Sequence, residues 1–243
     1  MDGALELAIS EENFAPAVKP FVDLLRLLQH RTSTGNRCPG EDVRLHIPPM
    51  LQSLRGFRMT IKAAATIDDL RHVPENGKAE IVNGELIRMP PTGRGPGYAA
   101  LEIALSIREY ARREGRGIAV GDNNAFVVRL PNRQSFSPDA AYYVGPNSGM
   151  KFFQGAPLFA VEVRSEGDYG PAPEREMEAK RADYFAAGTL VVWDVDVLGR
   201  DVVRVYRATE PTSPTVYRKG QVAEAEPAVP GWTMPVDDLF EPT

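Results

Sequence analysis

PLFAVEVRS, residues 157–165, decides the fold. Leu158 and Ala160 fall on one side of an extended chain, and Phe159, Val161 and Val163 on the other. A segment apolar on both sides reads as a strand covered on both faces, the mark of a sheet sandwiched by other elements. Glu162 interrupts it. A carboxylate in such a strand costs several kcal/mol unless it is paired, protonated or bound to a cation. Alone, Glu162 would also suit a strand-end salt bridge with Arg164.

Outward from this strand the pattern stays regular. Residues 125–130, 139–144, 190–195 and 202–206 read as further strands, and residues 78–89 as a hairpin turning at Asn83 and Gly84. A helix is expected over 98–116, with Leu101, Ala104, Leu105, Ile107 and Ala111 on its apolar side. Another is expected over 174–187, ended by Gly188, and a short one over 66–71. The sum is one α/β domain with a mixed central sheet flanked by helices.

Asp139 repeats the Glu162 anomaly by opening an apolar strand behind Pro138. Ser-Pro-Asp is common turn chemistry, but two acids on successive strands could converge at one sheet edge. Like charges so placed need a cation between them, and Mg²⁺, which takes few carboxylates and keeps its waters, fits. Lys180 borders the buried side of its helix, near Tyr184 and Met177 on the helical wheel. It is either half of a surface pair with Glu176 or a cation aimed at the acids. Weaker signals surround these. Arg108, Arg112 and Arg116 recur every four residues, as a phosphate-contacting ridge or a solvated helix end. Residues 93–97 form a Gly-rich loop lacking the lysine of a phosphate loop, and residues 165–174 are a candidate lid. Trp193 reads as core, and strand packing explains Tyr142 and Tyr143.

Composition narrows the field. The chain has 243 residues, 43% hydrophobic and 25% charged, with a net charge of −5. That is the balance of a globular protein, and no apolar run is long enough to span a membrane. An acidic chain does not coat nucleic acid, so any such contact is local. Cys38 is alone, which removes an intramolecular disulfide, a zinc ribbon and a Cys-Cys redox motif, and the scatter of His30, His46 and His72 argues against a zinc enzyme. With no basic-then-apolar leader at the N-terminus, a cytoplasmic location is expected. Residues 1–58 balance their acids and bases, carry one candidate helix over 16–30 and are otherwise rich in breakers, so they read as a loosely attached or poorly ordered extension. The stretch from Met59 reads like a second N-terminus, and the domain is placed at 59–243.

Six stretches in order resemble the Uma-type restriction endonuclease family, a branch of the PD-(D/E)XK nuclease-like superfamily: AEIVNGELI (79–87), SPDAAYYV (137–144), LFAVEVRS (158–165), KRADYFAAG (180–188), LVVWDVD (190–196) and PGWTMPVDDLF (230–240). The resemblance implies a restriction endonuclease-like fold and Mg²⁺- or Mn²⁺-dependent hydrolysis of DNA, with a homodimer as one active form. Asp139 and Glu162 match the metal-binding acids, and Glu80 an acid reaching the same metal. Lys180 stands for the catalytic lysine, which in the parent superfamily lies two residues after the second acid. That position is Arg164 here, suited to phosphate contact. The competing expectation is a nuclease-like fold that no longer cuts and instead binds DNA or a protein.

Overall fold

The computed structural model describes residues 64–74 and 77–242. The expected extension at 1–58 and its helix lie outside the described residues.

Strands β1 (Ala79–Val82) and β2 (Glu85–Arg88) pair antiparallel. Asn83 and Gly84 turn between them with positive φ of 51° and 71°, as a tight primed turn demands. Helix α1 (Arg94–Glu114) follows and ends on left-handed Gly115. Short strands β3 (Ile118–Val120), β4 (Phe126–Val127) and β5 (Ser135–Phe136) lead to β6 (Ala140–Tyr143), β7 (Phe153–Gln154) and β8 (Phe159–Val163). Helix α2 (Pro171–Ala186) precedes β9 (Val191–Val195), β10 (Val203–Arg207), β11 (Glu210–Tyr217), β12 (Val222–Glu224) and β13 (Thr233–Pro235).

The main sheet runs β11-β10-β9-β8-β6-β3. Its β8–β9 pair is parallel and its other neighbours are antiparallel, so the sheet is mixed. A parallel pair needs a crossover, and α2 supplies it, which lays this helix over one sheet face. Parity then sorts the side chains. Tyr142, Phe159, Val161 and Trp193 join Ile103 and Ile107 of α1, with Trp232 and Leu239 from the C-terminal segment. Ile103 and Ile107 are fully buried, each contributing roughly 1.5–3 kcal/mol. Ala141, Tyr143, Ala160 and Val192 face the other way, toward Tyr184 of α2 and toward Phe126 and Phe136. Glu162 and Asp194 share this second face because they lie opposite each other in the parallel register.

Three differences from the sequence reading have physical causes. Helix α1 starts at Arg94, so the Gly-rich segment is its first turn; Pro96 is tolerated there because the first amides have no helical acceptor. Leu101 and Leu105 are exposed, and the buried side is set by Ala100, Ile103, Ile107 and Ala111. Strand β11 carries Pro211 and Pro214, which disguise it, and it lies at the sheet edge, where a missing N–H costs little. No helix among the described residues is long and apolar enough to cross a membrane.

Candidate active site

Extending the β6–β8 register by one step beyond Ala140 and Val161 places Asp139 opposite Glu162, on the face that α2 covers. Asp139 is pinned at both ends. Its N–H donates to the Val161 carbonyl at 2.9 Å, and its Oδ2 accepts the Val163 N–H at 2.7 Å. Its Oδ1 accepts from Lys78 Nζ at 2.5 Å, and Lys78 also contacts Asp122 Oδ1 at 2.7 Å. Directly opposed like charges are destabilising, so this placement needs compensation.

Compensation comes from one turn of α2. Lys180 and Tyr184 are four residues apart and therefore on one side of the helix. Lys180 Nζ donates to Glu162 Oε2 at 2.9 Å, and the Tyr184 hydroxyl donates to Glu162 Oε1 at 2.6 Å. The Tyr184 ring stacks on Phe136 with centroids 4.0 Å apart, fixing the hydroxyl. Lys180 Nζ also lies 3.0 Å from Glu80 Oε1 on β1. Glu80 accepts the Ser137 N–H at 2.8 Å and Arg133 Nη1 at 2.5 Å, and Arg133 Nε reaches back to Asp183 at 2.8 Å. The lysine pairs with these two glutamates and not in the surface pair with Glu176.

The charges are unevenly shared. Burial pushes the Glu80 carboxyl up, but Lys180, Arg133 and the Ser137 amide together hold it below the ordinary range. Glu162 is pushed up: burial dominates, Lys180 only partly offsets it, and Asp139 and Glu80 add repulsion. Lys180 and Lys78 are burdened by burial yet raised by their carboxylate neighbours, so both stay charged. Burial, with Glu162 alongside, holds the Tyr184 phenol well above its ordinary value. Glu162 is thus the carboxylate left short of positive charge.

Two of the expected site residues are paired within the fold. Glu80, expected to reach the same metal, has its oxygens engaged by Arg133, Ser137 and Lys180. Arg164, expected to suit a phosphate, is paired inside the protein. It is 4% exposed and forks onto Asp194 at 2.6 and 2.7 Å, with Glu174 taking the remaining side. Asp194 is fully buried and also 3.4 Å from Arg181, so Arg164 neutralises an interior charge. Arg108 and Arg112 are exposed on α1, which packs on the sheet face opposite to the acids, so they do not line this site. Tyr142 and Tyr143 are buried, with hydroxyls donating to the Arg116 and Gln154 carbonyls. The last four residues of the segment read as a lid, 171–174, are helix, and Tyr169 ties the rest to Asp196 at 2.8 Å.

Lys78, Arg133 and Tyr184 were missed. Tyr184 was visible as the i+4 partner of Lys180, and Lys78 as the residue two before Glu80 on an alternating chain. Arg133 lies in a polar loop with no periodicity to mark it.

The donor set suits a hard divalent ion in one way. Mg²⁺ is commonly held by one or two carboxylates, with water and substrate phosphate completing its shell. Asp139 and Glu162 offer that pair, and the positive charge Glu162 lacks is what such an ion brings.

This fold is shared with a crystal structure described as a "putative nuclease belonging to DUF820" from Anabaena variabilis. The two are 18% identical with a TM-score of 0.57, over 72% of this chain and 97% of that one. Residues 66–237 match the model of the Uma2 family, described as "Putative restriction endonuclease", and the chain belongs to that family. No curated protein matches it.

Proposed function

We propose that this protein is a Mg²⁺- or Mn²⁺-dependent endonuclease that hydrolyses phosphodiester bonds of DNA. One observation carries the reading: Asp139 stands opposite Glu162 while Lys180 bridges Glu162 and Glu80. Family membership supports the nuclease class.

Asp139 and Glu162 would hold the ion. Bound there, a divalent cation polarises the scissile phosphate and lowers the pKa of its water. Lys180 carries a fixed positive charge that can orient the attacking water or offset charge growing on the phosphate. Glu80, itself fixed by Arg133 and Ser137, positions the Lys180 ammonium. Tyr184 holds Glu162 Oε1, leaving the carboxylate one orientation. Catalysis here is placement and electrostatics more than covalent chemistry.

A second reading has its own observation. Each acid already meets a base: Lys78 on Asp139, Lys180 on Glu162, Arg133 on Glu80. A fold so neutralised can persist without metal and serve as a binding module for DNA or a protein.

Cleavage of supercoiled plasmid with Mg²⁺, Mn²⁺ and EDTA separates the two. The nuclease reading expects metal-dependent nicking that Asp139→Ala and Lys180→Met both abolish. Metal-independent cleavage, or cleavage that survives Asp139→Ala, rejects this site.

A further inference from the structure

We infer that Lys78 is an internal counter-cation that holds Asp139 when no divalent ion is bound and withdraws onto Asp122 when one binds. This rests on the metal-site reading above. Lys78 Nζ bridges Asp139 Oδ1 at 2.5 Å and Asp122 Oδ1 at 2.7 Å. The two carboxylates differ in setting: the Asp139 side chain is 10% exposed and the Asp122 side chain 43%. Asp122 is prepared to receive the ammonium, because its Oδ1 also accepts the Asn123 N–H at 2.7 Å, which fixes the carboxylate.

The other cations at the site cannot move this way. Arg133 is clamped between Glu80 and Asp183, and Lys180 between Glu80 and Glu162. Of the two lysines, Lys78 alone has its second partner outside the acid group; Arg133 also has one there, Asp183, but its guanidinium is held at both ends. A lysine suits such a shift, with a compact charge on a flexible four-carbon stem, whereas a guanidinium is a rigid fork. An ammonium on Asp139 repels an incoming divalent ion and occupies one of its oxygens. Transfer to Asp122 removes both obstacles while keeping the lysine paired. Metal affinity is therefore set partly by the competition of Asp122 and Asp139 for one lysine.

Mn²⁺ titration followed by electron paramagnetic resonance of the free ion tests this on the full chain, with no activity assay. Changes outside the ligand set commonly move metal affinity 10–100-fold. Lys78→Met is expected to bind Mn²⁺ about tenfold tighter than the parent. Asp122→Asn, a change at the surface, is expected to bind several-fold weaker, because Lys78 is left with Asp139 alone. Asp139→Asn should lose the site. Should Lys78→Met fail to fold, unchanged affinity in Asp122→Asn overturns the inference by itself. Unchanged or weaker binding in a folded Lys78→Met, with the site still lost in Asp139→Asn, overturns it and leaves the metal site standing. Absence of Mn²⁺ binding in both the parent and Lys78→Met overturns both.

Discussion

Lys180 reaches Glu162 at 2.9 Å from a crossover helix, while the same ammonium lies 3.0 Å from Glu80 on a hairpin far earlier in the chain. One positive charge is thus divided between two buried carboxylates. Glu80 has a second cation in Arg133; Glu162 has a neutral phenol and a facing aspartate. That inequality governs stability as well as chemistry.

The two glutamates should respond to pH with opposite signs. Glu80 sits below its ordinary value of 4.5 in the folded state, so its ionised form stabilises the fold above that pH. This contribution is lost as pH falls through the folded value. Glu162 sits above 4.5 in the folded state, so the metal-free protein loses stability as pH rises from 4.5 through that higher value. Glu80→Gln should therefore destabilise at pH 7, and Glu162→Gln should be neutral or stabilising there, with both differences shrinking below pH 4.5. Urea denaturation in EDTA across pH reads both.

Arg164 should behave as a structural residue. Arg164→Met strands the fully buried Asp194 with only Arg181 at 3.4 Å. Removing one partner of a buried pair costs about 3 kcal/mol or more. Chemical denaturation should show that loss, while DNA affinity of the folded fraction stays within about twofold, a difference of ~0.4 kcal/mol. A large loss of DNA affinity with unchanged stability would support the phosphate-contact role instead.

Tyr184→Phe keeps the stack on Phe136 and removes only the hydroxyl on Glu162. Leaving a buried acceptor with one donor fewer costs about 1–3 kcal/mol. Single-turnover cleavage should fall while substrate affinity holds, because Tyr184 touches a carboxylate and not DNA. An affinity loss with an unchanged single-turnover rate would contradict this.

Lys180 and the α1 arginines should separate cleanly. Lys180→Met removes a charge aimed at the reacting centre, and such groups contribute about 10²–10³ in rate. The pair Arg108→Gln and Arg112→Gln changes only the helix on the other sheet face. Cleavage of a short duplex should fall strongly with the first and stay within about twofold with the second, a barrier change of ~0.4 kcal/mol.

Much of this site was legible because its chemistry breaks the local pattern. Glu162 and Asp139 stand out as acids in apolar strands, and Lys180 as a base bordering a buried helix side. The resemblance to the family rested on these same stretches. Other features had no pattern to break. Arg133 comes from a polar loop, and only the fold brings it to Glu80. Arg164 shares the strand face of Glu162, yet its partner Asp194 lies on another strand, and pairing across strands cannot be read from one of them. Arg108 and Arg112 line up on a helical wheel as either a ridge or a solvated helix end, and a wheel does not say which sheet face its helix covers. Strand β11 was hidden by prolines that only an edge position tolerates.

The most direct measurement is anomalous diffraction from crystals grown with Mn²⁺. The account predicts one ion bound jointly by Asp139 and Glu162, about 2.0–2.2 Å from an oxygen of each, the range of small divalent ions on carboxylate oxygens. Lys78 should then be found on Asp122. Full-length crystals soaked in Mn²⁺ whose Asp139 and Glu162 still hold only Lys78 and Lys180, with no anomalous peak between them, would contradict it.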